Sequence, residues 1–176
     1  IADKTQSLRS ISLRYFNAAG ASLDGQHGEA HKIETHIIPK AIQVALGKTA
    51  AFELYGTDYK TRDGSCERDY IHIIDLCSAH FLALDALFNG HSTTSYNVAT
   101  GIGVTNKELV ESVKRISGRD VAVQLKDRRP GDPDILVANS KKIKQDLLWQ
   151  PVHSDLNTII SSAWKWHTSH PNGYNI

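Results

Sequence analysis

The sequence predicts an α/β protein. Short apolar strands alternate along the chain with segments of helical period. Two of those strands, Ser10–Asn17 and Ser95–Ala99, carry enough apolar residues to be buried in a sheet. Neither has enough parallel neighbours of its own in this sequence, so both read as the last strands of a sheet whose first strands lie elsewhere.

The elements follow in order. In Ser10–Asn17, apolar residues stand at 11, 13 and 15, with Phe16 added, which predicts a largely buried strand ending at Asn17. The Gly- and Ala-rich stretch after it reads as a loop. Residues 34–47 have helical spacing, with Pro39 in the first turn and Gly47 at the C-terminus. Residues 51–55 form a short strand, 56–65 a polar loop, and 68–74 a second strand. Asp75 is placed to cap a helix that runs to about Phe88 and stops at Asn89-Gly90. After the strand at 95–99, the pattern Thr105-Asn-Lys-Glu108 is a capping box that opens a helix to Ser117, closed by Gly118. Residues 121–125 alternate as a strand, 127–134 form a charged loop, and 140–148 and 155–167 are helices. There is no internal repeat.

Composition narrows the function. The 176 residues suit one domain, 40% hydrophobic and 22% charged, with a net charge of +1. That balance gives no field to attract nucleic acid or a membrane surface, so any anion must be held by local donors. No apolar run approaches the ~20 residues that span a bilayer, and the start IADKTQSLRS has no signal-peptide core. Cys66 and Cys77 therefore read as free thiols of a cytoplasmic protein. They form no C-x-x-C pair, the histidines supply no H-x₃₋₅-H partner for them, and no metal site is expected in the chain. The chain opens at Ile1 without a methionine, which suggests a piece of a longer protein.

Familiar catalytic signatures are missing. Gly101-Ile-Gly103 is not a dinucleotide fingerprint and reads as a turn, and there is no phosphate loop, nucleophile elbow or H-E-x-x-H. Three polar groups stand out instead. Asn17 ends a strand, where open α/β sheets bind ligands, and it could equally be a turn residue. Arg68 starts a strand and suits a phosphate, or else pairs with Glu67 or Asp69. Arg128-Arg129-Pro130-Gly131-Asp132 sets cations beside a carboxylate, which suits a diphosphate and a ribose, or else forms a solvated charged loop. Asp69, His72 and Asp75 read as structural.

In order, RYFN, GTDYKTRDGSCERDYIHIIDL, RRPGD and the terminal WHTSHPNGY resemble the UDP-galactose 4-epimerases of the extended short-chain dehydrogenase/reductase group. The resemblance covers nearly the whole chain. It implies the C-terminal part of a Rossmann-type sheet plus a small mixed α/β substrate-binding domain, with residues 1–176 forming the nucleotide-sugar-binding region. It also implies NAD-dependent interconversion of UDP-galactose and UDP-glucose through a 4-keto sugar, with NAD doing the redox chemistry.

Carried over position by position, Phe16 resembles a contact on the nicotinamide side. Asn17 resembles a substrate ligand. His36 and Ile37 stand where the diphosphate and sugar bind, although many relatives have Asn at the position of His36. Phe52, Glu53 and Tyr55 resemble the uracil-holding strand, and Arg68 the main diphosphate arginine. Arg129 and Asp132 resemble a second phosphate clamp and a ribose contact. Leu136 resembles a gatekeeper beside the sugar's 2-substituent and, being of intermediate size, leaves N-acetylated sugars open. The proton-transferring Tyr-x-x-x-Lys pair does not occur in this sequence. The resemblance thus implies that no catalytic residue lies here, that the missing N-terminal half upstream of Ile1 is a necessary partner, and that the chain alone is inactive. Dimers are common in the family. Two alternatives are another nucleotide-sugar epimerase or dehydratase, and a non-catalytic UDP-sugar-binding module.

Overall fold

The protein was analysed as a computed structural model, which describes residues 8–174. The chain start at Ile1, and what was inferred from it, lies outside the described residues. The α/β class holds. Eight strands and five helices are found among these residues, and most strand pairs are parallel.

Strand β1 (Ile11–Tyr15) pairs in parallel with β5 (Thr94–Val98), Ile11 opposite Thr94 and Tyr15 opposite Val98. The expectation of one buried strand from 10 to 17 is corrected in two ways. The strand breaks at Phe16, and a new short strand, β2 (Asn17–Ala19), pairs in parallel with β4 (Glu67–His72). β1 is also only half buried, with Tyr15 52% exposed. The reason is its surroundings: among the described residues it pairs with β5 alone, and only Ile11 and Leu13 pack against a core.

Helix α1 (Ile37–Ala45) is shorter than the predicted 34–47. The Glu34 carboxylate takes the N–H groups of Thr35 and His36 before the helix starts. Gly47 ends it with φ +73°, while its N–H donates to Val44 O and that of Lys48 to Gln43 O. This is the Schellman closure that favours glycine. The apolar face of α1 buries Ile38 and Ile42. Next, β3 (Phe52–Tyr55) pairs in parallel with β7 (Val123–Lys126).

Strand β4 runs directly into α2 (Ile73–Phe88), so the cap falls earlier than predicted. His72, not Asp75, is the N-cap, its Nδ1 accepting from the N–H of Ile74 at 3.1 Å. With Nδ1 engaged as acceptor, the ring proton sits on Nε2, 3.0 Å from Ser162 Oγ. Asp75 lies one turn inside and is buried. Its carboxylate accepts from Val152 N, His153 N and Ser154 Oγ at 3.0, 2.8 and 2.5 Å. Asp69 is also buried and accepts from Thr100 N, Thr100 Oγ1 and Gly101 N. The structural reading of all three residues holds.

The capping box at Thr105–Glu108 forms as predicted and opens α3 (Asn106–Ser117), closed by Gly118. Two strands too short to show a period were missed: β6 (Gly103–Thr105), antiparallel to β4, and β8 (Ile135–Leu136), parallel to it. The Gly101–Gly103 turn therefore leads straight into β6. Helices α4 (Lys141–Asp146) and α5 (Leu156–Ser169) complete the chain, α5 capped by Asp155.

Alternation along β4 divides the interior into two cores. Tyr70 joins the core built on α1, α3 and α5, with Ile42, Leu109 and Ile159 fully buried. Ile71 faces the other way, into a core with Tyr96, Val98, Ile143 and Trp149. A period of two makes this division inevitable for neighbouring strand residues. Helix α2 covers this second core but leaves an apolar stripe outside, with Phe81, Leu84 and Phe88 exposed. Cys66 is buried and Cys77 exposed, both as free thiols. Among the described residues, no helix is long and apolar enough to cross a membrane.

Candidate functional site

Two neighbouring cavities collect most of the candidate residues. The larger, about 620 Å³, is lined by Ile37, Phe52, Glu53, Tyr55, Arg129 and Asp132 among others. The smaller, about 300 Å³, is lined by Phe16, Asn17, His36 and Ile37, with Pro39 and Tyr70. Ile37, the first residue of α1, borders both.

In the larger cavity, β3 supplies one wall. Phe52 turns its ring into the core, so only its backbone is available there. The Tyr55 hydroxyl donates to Glu53 Oε2 at 2.7 Å, and the Arg129 guanidinium lies 3.8 Å over the Tyr55 ring. This hydroxyl is the first cause of Glu53 holding its carboxyl below the usual range. A flat base on Tyr55 would use the opposite face or take the place of Arg129. Arg128, the other half of the arginine pair, faces away. It bonds to Asp58 and lies 4.1 Å over Tyr59. Burial pushes the Tyr59 hydroxyl up to about 12.

Arg68 is 12% exposed and engaged rather than free. Its Nη1 donates to the Glu67 carbonyl at 2.8 Å, and its Nη2 meets Asp132 Oδ1 at 2.5 Å. The sequence offered Glu67 or Asp69 as ion-pair partners, and the structure chooses Asp132. Leu136 sits beside Arg68 as its register partner on β8 and is exposed.

In the smaller cavity, Asn17 donates through Nδ2 to the Asp69 carbonyl at 2.7 Å. Among the described residues its Oδ1 has no hydrogen-bond donor. His36 hydrogen-bonds Glu29, and this contact raises the imidazole above its ordinary value against a smaller opposing effect of burial. Phe16, Ile38, Pro39 and Tyr70 give this cavity an apolar wall.

Sequence reasoning missed Asn106. It lines the larger cavity, and its buried Oδ1 has no hydrogen-bond partner among the described residues. Its place directly after the Thr105 cap made it read only as a first helical residue. The terminal WHTSHPNGY run has a structural role. Trp166 Nε1 donates to the Glu29 carbonyl at 2.9 Å, and the Tyr174 hydroxyl both accepts from Gly28 N and donates to Gly28 O. Gly28 lies so close to the Trp166 ring that a Cβ there would overlap it.

The sequence matches a family model described as GDP-mannose 4,6 dehydratase over residues 2–161. A UDP-glucose 4-epimerase of Rhizobium meliloti is 48% identical over 168 residues, covering 96% of this chain and 51% of the relative. The crystal structure of a UDP-glucose 4-epimerase superposes with a TM-score of 0.96 at 45% identity, covering 99% of this chain and 53% of that one. A UDP-glucose 4-epimerase from Bifidobacterium longum, solved in complex with NAD+ and UDP, gives 0.91 at 32% identity, with 98% and 51% covered. The chain spans about half the length of the curated relatives it matches. It belongs to the GDP-mannose 4,6-dehydratase family and is similar over nearly its whole length to UDP-glucose 4-epimerases.

Proposed function

We propose that this chain is the UDP-sugar-binding part, 1–176, of an NAD-dependent, cytoplasmic UDP-glucose 4-epimerase that interconverts UDP-galactose and UDP-glucose. The observation that carries the reading is the larger cavity. There Tyr55, Arg129, Asp132 and the unpartnered acceptor of Asn106 converge within reach of Arg68. Tyr55 offers a ring for a base, and Asn106 Oδ1 an acceptor for its N–H or for a ribose hydroxyl. Arg129 and Arg68 supply fork-shaped cations for a diphosphate, and Asp132 an acceptor for ribose hydroxyls.

The smaller cavity then takes the sugar and the edge of the cofactor. Asn17 Oδ1 and His36 address sugar hydroxyls, and Ile37 links the two cavities. Leu136 is assigned to the sugar's 2-substituent, next to Arg68. Phe16 within an apolar wall suits the face of a nicotinamide ring, so the residues present fit one side of NAD. When bound, NAD supplies a hydride acceptor and donor at the sugar's C4. The chain's own contribution is to hold the diphosphate while the sugar presents either face. No Tyr-x-x-x-Lys pair occurs in the 176 residues, so proton transfer is assigned to a separate N-terminal half.

The test is calorimetric titration with UDP, ADP and GDP, followed by a UDP-galactose epimerase assay with the protein as its gene encodes it. Saturable binding of UDP in preference to ADP and GDP, with epimerase activity, is the expected result. UDP binding without activity would favour a non-catalytic module, and no preference for UDP would sink the reading.

A further inference from the structure

The loop between β2 and α1 gathers four groups that the nucleotide reading does not require as a set. Glu29, His31, Glu34 and His36 each offer one ligand atom, and these atoms all lie within 4.8 Å of one another. We propose that they form a binding site for one divalent transition-metal ion of the zinc class.

The geometry is close to what such an ion needs. His31 Nδ1 lies 3.2 Å from Glu29 Oε1 and 3.9 Å from Glu34 Oε1. His36 Nδ1 is also 3.9 Å from Glu34 Oε1, and it is hydrogen-bonded to Glu29. Zinc–nitrogen and zinc–oxygen bonds of about 2.0–2.2 Å at tetrahedral angles set neighbouring ligands roughly 3.3 Å apart. To reach that spacing the hydrogen-bonded His36–Glu29 pair must spread and the wider pairs, up to 4.8 Å, must close, and an ion would replace the proton shared by His36 and Glu29. The donor set is two imidazole nitrogens and two carboxylate oxygens. It suits zinc, nickel or copper, whereas calcium and magnesium prefer oxygen alone. His31 and His36 also have the His-x₄-His spacing common in zinc ligands.

The fold holds both ends of this loop. At one end, Trp166 grips the Glu29 carbonyl and Tyr174 clasps Gly28. At the other, the nearly buried Glu34 carboxylate is fixed by the N–H groups of Thr35 and His36. His31 and His36 are exposed, so an ion has a path in. Occupancy would also draw His36 away from the smaller cavity and oppose sugar binding. That consequence alone rests on the function proposed above.

The experiment uses the protein as its gene encodes it, stripped with chelator and titrated with Zn2+ against a chromophoric competitor. One Zn2+ per chain is expected, bound at least tenfold more weakly by both His31→Ala and Glu29→Gln. Failure of Zn2+ to saturate, or equal affinity in His31→Ala, would overturn the site. UDP is titrated separately into the metal-free protein. Its failure to bind counts against the nucleotide reading and leaves the zinc stoichiometry to decide the metal site.

Discussion

Arg68 and Asp132 are each other's partner: Nη2 and Oδ1 lie 2.5 Å apart although 63 residues of chain separate them. A cation assigned to a diphosphate is therefore already satisfied by a carboxylate assigned to a ribose. Removing Arg68 takes away a donor and also leaves Asp132 as an uncompensated negative charge beside the cavity. Arg68→Ala is expected to weaken UDP binding by about tenfold to a hundredfold, from ~1.5–3 kcal/mol for a charge-assisted bond. Adding Asp132→Asn should recover part of that loss, because the repulsion disappears. Calorimetry on the two single variants and the double variant closes the cycle, and strict additivity would contradict the coupling.

Asp75 holds the segment 152–154 against the start of α2 through three donors. In Asp75→Ala these donors lose their acceptor, at about 1–3 kcal/mol for each that stays unsatisfied. A loss of about 3 kcal/mol or more is expected, with Asp75→Asn losing less because one acceptor oxygen remains. Urea unfolding midpoints measure both. An unchanged midpoint in Asp75→Ala would remove Asp75 from its structural role.

Stability should fall in mild acid because of His72. Burial pushes this imidazole below its ordinary 6.5, so between the two values the unfolded chain binds more protons than the folded one. Unfolding is therefore favoured as pH drops below about 6.5, and His167, also lowered by burial, acts in the same direction. His36 acts oppositely. Its value is raised, so its contribution is present in acid and lost as pH rises through the raised value. Its exposure keeps that contribution small. Melting temperatures at pH 7.5 and 5.5 provide the check. His72→Asn keeps a capping side chain and should reduce the difference between them.

The loop from Gly28 to His36 depends on the far end of the chain. Tyr174→Phe removes the hydroxyl that bridges Gly28 N and O and should cost about 1 kcal/mol of local stability. Amide exchange across residues 28–36 is expected to quicken by up to roughly tenfold, while the β4 core stays protected. Equal exchange in both proteins would show that the bond from Trp166 to the Glu29 carbonyl holds the loop without Tyr174.

Much of this was legible because local chemistry agrees with the fold. The Thr105–Glu108 box opens a helix, and Gly47 and Gly118 close helices, where the sequence says they must. Asp75 misled because Asp is a strong cap in isolation, whereas β4 runs into α2 without a turn and His72 reaches the position first. β6 and β8 left no period to detect at three and two residues. Apart from Arg68, much of the long run from Gly56 to Leu76 serves the fold. Arg62 ties Glu67, Glu108 and the Gly103 carbonyl, Asp63 receives Ser65, and Asp69 and Asp75 are buried hubs. The pairing of Arg68 with Asp132 and the lone acceptor of Asn106 depend on distant segments meeting, which spacing does not encode.

The two cysteines give the molecule a built-in chemical reporter. Cys66 is sealed inside, and burial pushes its thiol up, away from the reactive thiolate. Cys77 stands in the open on α2, with Phe81, Leu84 and Phe88 following at four, seven and eleven residues along the same helical face. A thiol reagent should therefore react in two kinetic classes of equal size, one prompt and one gated by opening of the fold. The prompt class reads the state of the aromatic stripe: whatever comes to rest on that face silences Cys77 and leaves the slow class unchanged.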